Sequence, residues 1–149
     1  MNTMVLTRPT DRHRCLLRLP ATPAAAAAAR HRVRAALVAW RPPVDPDIAI
    51  LLTSDLVTNA IMHGDGETLT LAIRRSRAHL RIDVYDQSRS LPLGMDEPAD
   101  AHAGRGLVLV TVLSAEWGSF RTPAGKAMYF TLAFPPDRLP ADDGVIAGD

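Results

Sequence analysis

Ser54-Asp55-Leu56-Val57-Thr58-Asn59-Ala60-Ile61-Met62-His63 is the stretch on which the reading of this chain turns. It sits in a helix expected from about Pro46 to His63, with Asp45 as N-cap and Gly64 as the C-terminal stop. Asp55, Asn59 and His63 recur at every fourth position and share one stripe of that helix. Leu52 and Leu56 flank the stripe, and Ile50, Val57 and Ile61 form a second apolar line on the far side. A helix apolar on two sides is largely buried. A carboxylate and an amide in such a place need partners, because leaving one unpaired costs about 1–3 kcal/mol. A hydrated divalent cation satisfies both. Neighbouring backbone groups or arginine side chains do so equally well, and the helix alone leaves the two open.

Working outward, residues 1–11 are expected to be a disordered lead, residues 12–134 one folded domain, and residues 135–149 a disordered tail. Cys15 to Leu19 alternates and reads as an edge strand. Pro20 to Pro23 is a break, with Thr22 as the expected N-cap and Pro23 at the first helical position. A first helix then runs through the alanine run Ala24–Ala29 to about Trp40, and Arg41-Pro42-Pro43 ends it. After the second helix, Asp65-Gly66 signals a turn. Thr68 to Arg74 alternates with Leu69, Leu71 and Ile73 on one face, and Leu80 to Tyr85 does the same with Leu80, Ile82 and Val84. Together they predict a hairpin across Arg75 to Ala78.

Gln87 to Ala103 has no periodicity and contains Pro92, Gly94 and Pro98. A patternless stretch of that length is uncommon inside a compact domain and is usually functional or mobile. Gly104-Arg105-Gly106 opens a helix expected to reach Ala115. Trp117 to Phe120 and Met128 to Phe134 read as closing strands around a Pro123-Ala124-Gly125 turn. Helices grouped early and strands mostly late predict the α+β class. The expected form is a two-layer α/β sandwich, with a mixed, mostly antiparallel sheet carrying helices on one face.

The composition narrows the functional classes. A length of 149 residues fits one domain with one core. The net charge of +1 gives no electrostatic case for direct nucleic-acid binding. Arginines do cluster before Pro46, from Arg8 to Arg41, as a solvated helix face or a partner-facing arm. Cys15 is the only cysteine, so no internal disulfide forms. No apolar run approaches the roughly 18 residues of a membrane span, so no membrane role and a cytoplasmic location are expected.

Two further features carry chemistry. Asp86 ends an apolar strand at the start of the long loop. A carboxylate there accepts a hydrogen bond from an exocyclic amine, as adenine is often held, or simply initiates a turn. Gly104-Arg105-Gly106-Leu107 begins a helix, where glycine amides can approach phosphate, or where flexible residues merely cap it. Neither a GxGxxG fingerprint nor a GxxxxGK[ST] loop is present, since Leu109 breaks the first and Ala127 the second.

In order and spacing these features resemble the anti-sigma-factor serine/threonine kinases of the GHKL ATPase superfamily, which includes gyrase-type and histidine-kinase ATPase domains. The segment Asp55–His63 is similar to that family's N box. The resemblance implies ATP and Mg2+ as cofactors, Asn59 as the magnesium ligand and Asp55 as the general base. It implies Asp86 at adenine, Gly104, Arg105, Gly106 and Leu107 at the phosphates, and residues 87–103 as an ATP lid. Gly125-Lys126 and the strand through Thr131 resemble the closing strand, which brings Lys126 and Thr131 into the nucleotide site and Thr131 near Asp86. His63 is either near the phosphates or a helix-end histidine. The chain departs from the pattern twice: the base is Asp55 where the family usually has glutamate, and Gln87-Ser88-Arg89 replaces the glycines after the adenine aspartate.

The function so implied is transfer of the ATP γ-phosphate to a serine of an antagonist protein. A sigma factor is the further partner and a homodimer the expected assembly. A rival is a non-catalytic module of the same fold, in which ATP only stabilises a partner-binding shape. A more distant rival is an interaction protein without nucleotide.

Overall fold

Alternating apolar residues build the sheet, and the computed structural model describes it within residues 13–64, 66–87 and 107–139. Five strands form it: β1 (Arg14–Pro20), β2 (Thr68–Arg75), β3 (His79–Asp86), β4 (Glu116–Thr122) and β5 (Gly125–Ala133). Their order is β1-β2-β3-β5-β4, and all four pairings are antiparallel, more uniform than the mixed sheet expected. Leu71 faces Val84, and Ile73 faces Ile82. Val84 in turn faces Met128, and Ile82 faces Phe130. One face of the sheet is therefore a continuous buried apolar layer.

Three helices meet that face: α1 (Ala24–Trp40), α2 (Pro46–His63) and α3 (Val108–Leu113). α1 buries Ala25, Ala29, Val33, Ala36 and Leu37, one helical stripe made mostly of small residues. The small side chains let α1 lie close to α2, β1 and β2. α2 buries Ala49, Leu52, Leu56, Val57 and Ala60 and packs against α1, α3, β3 and β5. The chain is thus an α+β sandwich of a helical layer on an open five-stranded sheet.

The ends of the elements follow local chemistry with one exception. Asp45 caps α2, its Oδ1 accepting the Asp47 amide at 2.9 Å, and Gly64 ends it. Arg41 closes α1 in the left-handed region at φ 49°, just before Pro42 and Pro43. Thr22 does not cap α1 through its side chain. Pro23 already adopts helical angles (φ −55°, ψ −28°) at the N-cap position, and the Thr22 carbonyl instead accepts the Ala25 amide at 2.8 Å. Ser76 holds the β2–β3 turn, where its hydroxyl accepts the Ala78 and His79 amides.

Cys15 packs in β1 as a small apolar residue. Burial pushes its thiol above the ordinary range, and Arg32 offsets this only in part. Among the described residues no helix is long and apolar enough to cross a membrane.

Candidate functional site

Two groups of polar side chains lie between the helical layer and the sheet, one on α2 and one across β3 and β5. The first is on α2. Asn59 is buried, at 7% exposure, and Asp55 is half-buried one turn earlier. Asp55 Oδ2 and Asn59 Oδ1 are both shielded from solvent and have no hydrogen-bond partner among the described residues. Among the described residues neither the backbone nor an arginine takes up these two oxygens. Two orphaned oxygen acceptors one turn apart suit a hard cation such as Mg2+. That ion commonly takes one or two protein oxygens and completes its shell with phosphates and water. Among the described residues no cluster of three or more His, Cys, Asp or Glu exists that could hold a metal by itself.

Burial raises the Asp55 carboxyl above its usual value, since water no longer stabilises the charge. The consequence for stability has a definite sign. Below the ordinary carboxylate range, folded and unfolded chains both carry neutral Asp55, and it costs nothing. As pH climbs from that range through the raised folded-state value, the unfolded chain ionises first and the fold loses stability. Asp55→Asn is therefore expected to raise the thermal midpoint at pH 7 and to leave it unchanged near pH 3. Melts across that range check this, and an equal shift at both ends would contradict it.

The second group joins β3 to β5. Asp86 and Lys126 face each other across the two strands and are 7% and 1% exposed. Lys126 Nζ donates to Asp86 Oδ2 in a buried ion pair. Both residues share the parity of Val84 and Met128, so both point into the helical layer. Gly64 fixes the end of α2 beside them: a β-carbon there would lie 3.6 Å from Asp86 Cγ. At a helical rise of 1.5 Å per residue, Asn59 lies roughly 7–8 Å back along α2 from that point. Asp55 lies roughly 13–14 Å back, so the ion pair stands beside the end of the helix that carries both oxygens.

Backbone packing is close at that corner. A β-carbon on Gly125 would lie 2.2 Å from the Asp86 carbonyl oxygen and 2.7 Å from Gln87, so only glycine fits. Gln87 Oε1 accepts the amides of Glu67 and Thr68 at 2.9 and 3.1 Å, tying the end of β3 to the start of β2. This role of Gln87 was not legible from the sequence.

The remaining expected residues divide. His63 is exposed at the end of α2. Leu107 is buried, and its carbonyl accepts the Thr111 amide at 3.0 Å as α3 begins. Gly104, Arg105 and Gly106 lie outside the described residues, as do all residues of the expected lid after Gln87. Thr131 is not near Asp86, contrary to expectation. It pairs with Arg81, five residues along β5 from Lys126, and has the opposite parity, so it faces the outer side of the sheet. Lys126 holds the position beside the aspartate instead.

Searches against models of known protein families and against curated proteins find no match to this chain.

Proposed function

We propose that this chain is an ATP- and Mg2+-binding regulator, acting as a serine/threonine kinase toward an antagonist protein. The observation that carries the reading is the pair of buried acceptors without partners among the described residues, Asp55 Oδ2 and Asn59 Oδ1, on the helix that ends beside Asp86. Asn59 Oδ1 is assigned to magnesium, Asp55 to the acceptor hydroxyl, and Asp86 to the adenine amine. Gly104, Arg105, Gly106 and Leu107 are assigned to the phosphates, with Lys126 at the base and His63 at the rim. Bound ATP brings the transferable phosphoryl group. The chain's own part is to position it, neutralise charge and orient the incoming hydroxyl.

The partners proposed are a sigma factor and an antagonist protein carrying the target serine, with a homodimer as the assembly. A second reading, ATP binding without transfer, draws on Asp55, which is one methylene shorter than the glutamate usual in such sites.

Asn59→Ala is the direct test of the metal assignment. It is expected to abolish the magnesium-dependent part of ATP binding while leaving magnesium-free binding near wild type. Titration calorimetry with and without Mg2+ measures both parts. Equal magnesium dependence in variant and wild type would remove Asn59 from the site.

A further inference from the structure

Lys126 is a fully buried cation on a carboxylate that the nucleotide reading assigns to the base. A base amine arriving at Asp86 would either displace the ammonium or share the carboxylate with it. Displacement leaves a buried ammonium without its partner, which costs more than one hydrogen bond to a charged acceptor returns. Backbone retreat gives no relief, because Gly125 is already packed against the Asp86 carbonyl and Gln87. Sharing carries no such cost. A carboxylate has about four lone-pair sites and an ammonium three donors, enough for the pair to keep its contact, for Asp86 to keep its other interactions and for each to make one further hydrogen bond. Adenine is complementary to that arrangement, since its exocyclic amine lies next to ring nitrogens that accept.

We propose that Lys126 stays on Asp86 when nucleotide binds and that the two read the base together. Asp86 accepts from the exocyclic amine, and Lys126 donates to a ring nitrogen beside it. Lys126 is then a specificity-determining residue of the site, in a role that rests on the nucleotide reading above.

The test measures affinities of the full chain for ATP, 1-deaza-ATP and 7-deaza-ATP, in which one ring nitrogen next to the amine is replaced by C–H. Wild type is expected to bind one of the two analogues about 10–100-fold more weakly than ATP, as loss of a hydrogen bond from a charged donor requires. In Lys126→Met that penalty should vanish and ATP itself should bind more weakly. A melt of the ligand-free variant reports whether it folds, and the wild-type comparison stands without it. Equal affinity of wild type for all three nucleotides overturns the proposal. So does a Lys126→Met variant that binds ATP as tightly as wild type or more so, which makes Lys126 a competitor. Absence of ATP binding by wild type is a different failure, because it removes the nucleotide reading and this inference with it.

Discussion

Asp86→Ala is expected to destabilise the fold by about 3–5 kcal/mol, the cost of leaving a buried charge without its partner. The charge is Lys126, which is 1% exposed and paired with Asp86 across β3 and β5. The loss does not measure the net contribution of the pair. Replacing both members by apolar residues of similar volume is often neutral or stabilising. The double variant Asp86→Leu/Lys126→Met should therefore recover most of what Asp86→Ala loses. Urea unfolding at pH 7 checks both, with a shifted midpoint and an unchanged slope as the signature of lost stability. A single variant as stable as wild type would mean that the ion pair does not form in solution.

Asp55→Asn is expected to lower phosphoryl transfer about 10²–10⁴-fold, the usual contribution of a positioned base. ATP affinity should stay near wild type, because Asn59 and Asp86 remain. The same substitution should stabilise the fold at pH 7, since it removes a carboxylate that burial disfavours. Gaining stability while losing rate marks a residue kept for chemistry. Asp55→Glu adds the methylene: faster transfer shows that aspartate reaches poorly, and slower transfer shows a site shaped around aspartate. The assay follows labelled γ-phosphate onto a candidate antagonist protein. Transfer that survives Asp55→Asn unchanged removes Asp55 as the base. Firm ATP binding without transfer favours the non-catalytic reading.

Local signals carried much of the fold. The alternation of Leu69, Leu71 and Ile73 against Leu80, Ile82 and Val84 marks β2 and β3 as a half-buried hairpin, and they pair as expected. Asp45 and Gly64 mark the ends of α2, where they stand. Thr22 misled because proline at the next position is compatible with helical angles, which moved the cap by one residue. α3 spans only Val108–Leu113, shorter than the helix expected to reach Ala115, because the Ala115 amide instead bonds to the Thr131 carbonyl at 2.8 Å.

The site was legible only in part, for a physical reason. Asp55 and Asn59 are related by helical geometry within one element, so spacing alone placed them together. Asp86 and Lys126 are brought together by strand register over a separation of 40 residues, which composition and periodicity do not encode. Parity along β5 did hold a clue: Lys126, Met128, Phe130 and Leu132 share a face, so an inward lysine needs an anion. The same parity places Thr131 on the other face, and it explains why Thr131 falls outside the site.

The most direct test of the central claim is the thermal midpoint of the wild-type chain with ATP, with and without Mg2+. A ligand that binds only the folded state stabilises it by about 2.7 kcal/mol at a hundredfold excess over Kd. The midpoint is expected to rise with ATP and to rise further with Mg2+, as Asn59 Oδ1 gains a partner that no described residue supplies. A midpoint unmoved at millimolar ATP and Mg2+ would contradict the account.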